Sequence, residues 1–266
     1  MTADARLLPS VLIVGTQRGG TTSLFHTLRQ HPAFSGPILR KGVHYFDVEY
    51  QRSLRWYRGH FPTRFVAAYR ARPSGATPIA GEASPYYMSH PLAGARISQD
   101  LPGVNMVALL RDPVERAYSA HAHELARGYE TEDFATALAL EEQRLAGEED
   151  RILSDPAYQS HSLRHHAYLR RGQYVDQLER LEQHVSRNRI LVLDSSRFFS
   201  DPESEFGKLL NFLSLPPCSS LTYEHRNSRP RAPMARMLRR RLEEHFSPYD
   251  ERLTRWLGEA PEWRTL

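Results

Sequence analysis

The chain has 266 residues, 40% hydrophobic and 25% charged, and 35 Lys+Arg against 31 Asp+Glu leave a formal net charge of +4. That suffices for the core of one α/β domain, while the charge is too diffuse to argue for nucleic acid. The one cysteine, Cys218, precludes an intrachain disulfide, and with no signal core or run of about 20 apolar residues the expectation is a cytoplasmic protein without a membrane span.

Val11-Leu12-Ile13-Val14 reads as a buried strand over 11–15, and the run from Thr21 to about His31 as a helix. Between them lies Gly15-x-x-x-x-Gly20-Thr21-Thr22, a glycine loop opening a helix. Such a loop aims backbone N–H groups and the positive end of the helix at an anion, usually a phosphate. Where the nucleoside-triphosphate loop G-x-x-x-x-G-K-[ST] needs Lys, this chain has Thr21, and the cation stands earlier, at Arg18. The loop suits a phosphate other than the γ-phosphate of ATP. The alternative is an ordinary glycine-rich strand–helix turn.

Further strands are expected at 78–82, 104–110 and 189–193. Helices are expected at 92–100, 113–127, 133–147, 162–184 with a break near Gly172, 202–213 and 234–246. Segments 36–50 and 217–233, rich in Pro, Gly and Ser, read as long loops. The alternation predicts an α/β fold: a parallel sheet flanked by helices on both faces, in a single domain over 1–266. The basic run Arg236–Arg241 reads as a solvated helix face.

The strand at 104–110 runs directly into Arg111-Asp112-Pro113, with Asp112 placed to cap a helix and Pro113 in its first turn. Arg111 is a forked guanidinium suited to bidentate phosphate contact. Ser119, eight residues on, lies about two turns into that helix, so one strand end and one helix present both groups. The alternative for Arg111 is an ion pair with a nearby acid.

Together these segments resemble the PAPS-dependent sulfotransferases (PAPS is 3′-phosphoadenosine 5′-phosphosulfate), in particular the heparan-sulfate-type and related bacterial enzymes. Gly42–Asp47, Trp56-Tyr57 with His60-Phe61-Pro62, Gly81–Tyr87 and Asp194–Pro202 extend the resemblance along nearly the whole chain. It implies a P-loop-type sheet, with loop 15–23 as the 5′-phosphosulfate site and segment 104–119 as the 3′-phosphate site. Arg18, Gly19, Gly20, Thr21, Thr22 and Ser23 would hold the 5′-phosphosulfate, and Arg111 with Ser119 the 3′-phosphate. Arg229 aligns with a segment that closes over the nucleotide; as a lone loop Arg it reads equally as solvated. The chemistry implied is transfer of a sulfuryl group to a hydroxyl, less readily an amine, of a carbohydrate, lipid or small-metabolite acceptor. PAP is the other product, and no metal is needed.

The resemblance fails at two catalytic positions. The family's base, a Glu before the Val-His-Tyr-Phe-like segment, is Gly42 here, and a family Lys is Ala83. His44 is the local replacement as base, because it titrates near neutrality; the alternative is a buried structural histidine. Asp47 or Glu82 could orient His44 or serve as base, and Lys41 could supply the charge lost at Ala83. Segments 36–60 and 83–91 with the helices of 125–170 are expected to form the acceptor cleft; Tyr86 and Tyr87 read first as core aromatics, with lining that cleft as the alternative, and Trp56, Tyr57 and Phe61 as a helix packing face. His161, His165 and His166 lack the acidic or thiolate neighbours of a metal site, and His121 and His123 face different directions on a helix. Two other functional classes fit the same residues. One is a divergent P-loop kinase or NTPase, against which Thr21 and Arg111 speak. The other is a non-catalytic PAPS/PAP-binding protein, which Gly42 and Ala83 would permit.

Overall fold

The structure is a computed structural model that describes residues 3–218, 221–223 and 233–265. In chain order its main elements are β1 (Val11–Gly15), α1 (Thr21–Leu28), β2 (Phe34–Ser35), α2 (Leu54–Arg58), α3 (Arg64–Ala71), β3 (Ile79–Ala83), α4 (Ala93–Asp100), β4 (Asn105–Leu110) and α5 (Pro113–Leu125). They continue with α6 (Phe134–Leu145), α7 (Glu148–Ser154), α8 (His161–His165), α9 (Tyr174–Glu182), β5 (Ile190–Asp194), α10 (Ser195–Ser200), α11 (Pro202–Phe212) and α12 (Arg236–Leu257). The five strands form one parallel sheet in the order β2-β3-β1-β4-β5.

Strand β1 is central, with Val11 beside Gly81 of β3 on one side and Asn105 of β4 on the other. All five of its residues are buried, which is why the sequence shows an unbroken apolar run rather than an alternation. Its side chains still divide between the faces. Leu12 and Val14 join a core with α4, α9, Tyr57 and Phe61, whereas Val11 and Ile13 join one with α1, α10 and α11. Fully burying each such residue contributes about 1.5–3 kcal/mol. A third cluster unites α5, α6 and α12.

Capping residues set several boundaries. Asp112 Oδ1 accepts from Val114 N at 2.8 Å and Glu115 N at 3.4 Å, with Pro113 opening α5. Ser53 caps α2, which carries Trp56 and Tyr57 of the expected packing face, and Thr63 caps α3, a short helix the sequence reading did not mark. Within the expected helix 162–184, α8 and α9 are separate. The buried Glu141 carboxylate accepts hydrogen bonds from Tyr168 N, Leu169 N and Arg170 N at 2.9, 2.7 and 2.8 Å, holding a non-helical turn. Helix α12 continues past its expected end at 246 and through Pro248, because Leu242, Phe246, Asp250 and Leu253 form a buried stripe. Packing overrides the proline there.

The chain places β2 and β3 on one side of β1 and then crosses to β4 and β5 on the other. In a parallel sheet that reversal leaves a crevice at the carboxyl ends of the strands.

Candidate active site

A cavity of about 570 Å³ occupies this crevice. Its walls come from the loop after β1, Pro85 and Tyr86 after β3, Arg111 after β4, and Ser195 and Ser196 after β5. Six cationic side chains reach it: Arg18, Lys41, Arg111, Arg127, Arg164 and Arg171. No carboxylate does among the described residues. That composition suits a polyanionic ligand.

The glycine loop is shaped by backbone constraints. Thr16 N donates to Leu109 O at 3.0 Å, fastening the loop to β4. Gly20 has φ of +101°, a region costly for any residue with a Cβ, and a Cβ there would also meet the Phe199 ring at 3.0 Å. No side chain caps α1, so its first-turn amides are left for a ligand beside Thr21 and Thr22 in the cavity wall. Ser23 is buried and lies outside that wall.

Both phosphate segments of the sequence reading meet here. Arg18 Nε donates to Ser119 Oγ at 3.0 Å, and Arg111 Nη1 donates to Arg18 O at 3.4 Å. Arg111 also stands 3.7 Å from Glu115, so the ion pair and the cavity-facing position coexist. Arg229 lies outside the described residues.

Under the opposite wall, Glu82 is buried and fully engaged. It accepts from Tyr57 and Tyr87 hydroxyls at 2.8 Å each, from Ser84 Oγ at 2.7 Å and from Val43 N at 2.5 Å. Burial raises both tyrosines well above their ordinary range, and the Glu82 charge adds to it. Glu82 therefore fastens loop 41–44 to β3 from beneath and is absent from the cavity wall. Gly42 is pressed onto the strand so closely that a Cβ would sit 2.5 Å from Ala83 O and 2.8 Å from Ser84 Oγ. This approach explains the glycine where the resemblance calls for Glu.

His44 and Lys41 emerge from the same loop into the cavity. His44 Nδ1 lies 2.8 Å from Asp47 Oδ2, and Asp47 is buried behind it, outside the cavity wall. With Nδ1–H donating to Asp47, Nε2 is the nitrogen left to accept a proton. Burial of the imidazole opposes its charge, but the Asp47 hydrogen bond and the Asp47 and Glu82 charges outweigh it, and the pKa is raised. Lys41 Nζ donates to Thr21 Oγ1 at 3.4 Å, and Lys41 O accepts from Ala83 N at 2.9 Å. The Lys41 backbone thus lies beside Ala83, while its cation reaches the start of α1. Burial, then Arg18, lowers its pKa to about 8.

The remaining wall draws on segments 83–91 and 125–170, in which sequence reasoning singled out no cation. Tyr86 is buried yet lines the cavity, the alternative to its core role, with the Arg171 guanidinium 4.6 Å from its ring centroid, while Tyr87 keeps to the core. Arg171 Nη1 donates to Gln17 Oε1, and its Nε and Nη2 have no partner among the described residues. Gln17 Nε2 donates to Glu124 Oε1 at 3.4 Å, and the other Glu124 oxygen lies 2.9 Å from His165 Nδ1. His165 also lines the cavity, paired with this carboxylate. Tyr57 and Phe61 pack in the core as expected, with Trp56 partly buried against it. A further signal for this wall was the polar Gln17 beside Arg18 in the glycine loop.

Comparison with known proteins agrees with this architecture. Human heparan sulfate glucosamine 3-O-sulfotransferase 3B1 is 28% identical over 213 residues, covering 80% of this chain and 48% of that protein. Human heparan sulfate glucosamine 3-O-sulfotransferase 6 is 28% identical over 284 residues, covering 97% and 74%. The chain thus spans about half the length of the first of these relatives. The crystal structure of a sulfotransferase from Alicyclobacillus acidocaldarius superimposes with a TM-score of 0.71 at 26% identity, over 97% of this chain and 99% of that one. The sulfotransferase domain pattern matches residues 8–232, and the chain belongs to that family.

Proposed function

We propose that the protein transfers the sulfuryl group of PAPS to a hydroxyl of a carbohydrate, lipid or small-metabolite acceptor, releasing PAP. The single sulfotransferase unit covers 1–266. Loop 15–23 receives the 5′-phosphosulfate and segment 104–119 the 3′-phosphate. One observation carries the reading: uncapped amides of α1, six cations and the His44–Asp47 pair face one cavity that no carboxylate enters among the described residues. Two phosphate groups and a sulfonate match that lining in charge.

PAPS supplies an activated sulfur attached to a phosphate leaving group. Arg18, Lys41 and the amides of Gly20 and Thr21 neutralise the charge that develops on that phosphate, whereas the Gly19 amide, expected to join them, donates to Thr16 O at 3.0 Å. Arg111 and Ser119 hold the 3′ end, joined to the loop through Arg18. His44 Nε2 takes the acceptor hydroxyl proton as the oxygen–sulfur bond forms, and Asp47 keeps the imidazole oriented and stabilises its charged form. Glu82 holds the loop that delivers His44. This intact acid–base pair favours an enzyme over a non-catalytic PAPS-binding protein.

Calorimetry with PAP, and separately with ATP–Mg²⁺, tests the reading. PAP is expected to bind, and Arg111→Ala to weaken it about tenfold or more by loss of charge-assisted contacts. A strong ATP–Mg²⁺ response with none to PAP would sink the proposal and return the chain to the kinase-like class.

A further inference from the structure

Helix α3 has its polarity reversed. An ordinary surface helix buries its large apolar residues and exposes polar ones. Here Ala67 and Ala71 face the core at 1% and 2% exposure, while Phe65, Tyr69 and Val66 stand 77%, 63% and 47% exposed. The geometry is that of one regular helix: Ala67 and Ala71 are four apart on one side, and Phe65 and Tyr69, offset by two residues, are four apart on the other. Thr63 caps the helix through Val66 N, so these side chains project from an ordered element.

Cations outnumber acids at this corner, where Asp4 stands 3.9 Å from both Arg55 and Arg58 and Glu49 3.5 Å from Arg52. Between Glu49 and Glu82 the chain has no acidic residue and six arginines, at 52, 55, 58, 64, 70 and 72. Arg64, Arg70 and Arg72 flank the exposed face, are themselves exposed, and make no ion pair among the described residues. The Arg72 guanidinium lies 5.2 Å from the Tyr69 ring centroid, at the edge of the patch. A second apolar pair belongs to the same corner. The chain leaves β2, against which α3 packs, into Ile38 and Leu39, exposed at 62% and 87%. Ile38 N donates to His60 O at 3.0 Å, three residues before the α3 cap. The same segment runs on to Lys41 and His44 in the cavity wall.

We infer that α3, with Ile38 and Leu39, docks the protein onto an anionic lipid bilayer. Aromatic and aliphatic side chains ringed by arginines match the boundary between acyl chains and negative headgroups, with guanidinium groups at headgroup level and rings below. A second copy of the chain fits less well. A two-fold contact would bring Arg64, Arg70 and Arg72 of both copies together, and an eight-residue helix falls short of the roughly 800 Å² per partner of a standard interface. The inference is independent of the reaction proposed for the cavity.

Vesicle flotation tests it with the full chain, using phosphatidylcholine alone and phosphatidylcholine mixed with phosphatidylglycerol. Co-flotation is expected with the anionic vesicles, weakened by high salt. The double variant Phe65→Ser/Tyr69→Ser should lose about tenfold or more of its partitioning, and Arg64→Glu/Arg70→Glu should reduce it as well. The replaced side chains are exposed, so the melting temperature checks that both variants remain folded. Absence of anionic-vesicle binding, or equal binding by the serine variant, overturns the inference. So does a concentration-dependent dimer that the serine variant abolishes, which would make the patch a protein interface.

Discussion

At His44, burial disfavours the charged imidazole while Asp47 and Glu82 favour it, and the second influence prevails. A base in that state is neutral only above its raised pKa, so kcat/KM should climb with pH through a midpoint above the ordinary imidazole value of about 6.5. Lys41 loses its proton near pH about 8, and donor affinity should decline above that point. The expected profile of the free enzyme is a narrow bell. Asp47→Asn removes the main support of the imidazolium and should move the acidic limb to lower pH, with kcat reduced about 10²-fold through lost orientation. Lys41→Met should remove the alkaline limb and weaken PAP. An unmoved acidic limb in Asp47→Asn would show that a group other than His44 titrates there.

Among the elements, loop 41–44 and the end of β3 behave as one assembly, because Glu82 gathers four donors from the loop, α2 and the turn after β3. Glu82→Gln keeps the volume but leaves too few acceptors, and should cost about 1–3 kcal/mol in urea unfolding. Gly42→Ala should cost a similar amount, since its methyl meets the Ala83 carbonyl. Gly42→Glu should therefore fail to add a working carboxylate beside His44. Sequence patterns revealed elements whose cause is local. Strand β1 is an unbroken apolar run, α1 follows its glycine loop, and α5 carries Asp112-Pro113 at its start. Patterns were silent on β2, α3, α7 and α10, which are too short for periodicity and rest on caps or tertiary contact, and showed α2 only as the packing face of Trp56 and Tyr57. The glycine loop in the cavity wall was legible for the same local reason. Arg127, Arg164 and Arg171 were not, since folding alone selects these three from the many basic side chains of the chain.

The molecule as a whole carries a buried neutral histidine that contributes to its acid sensitivity. His90 is enclosed, accepts from Leu92 N at 3.2 Å through Nδ1, and has its pKa lowered to about 4, chiefly by burial. The unfolded chain takes up that proton near pH 6.5 and the folded chain only near pH 4. The His90 contribution to stability is thus intact above about 6.5 and falls as pH drops through that window, by up to about 3 kcal/mol, while Asp250, whose carboxyl burial raises to about 6, acts in the opposite direction. His90→Gln should flatten this part of the stability–pH curve, which denaturant titrations across the window would reveal. The division of β1 between two cores has a further consequence. Leu12 and Ile13 are sequence neighbours that anchor opposite halves of the molecule, so neither half can melt without unseating the other. Heat should therefore produce a single cooperative transition, with Leu12→Ala and Ile13→Ala each lowering the same midpoint. A nucleotide gripping the loop at the end of that strand should shift the entire transition upward, as one unit rather than as local protection.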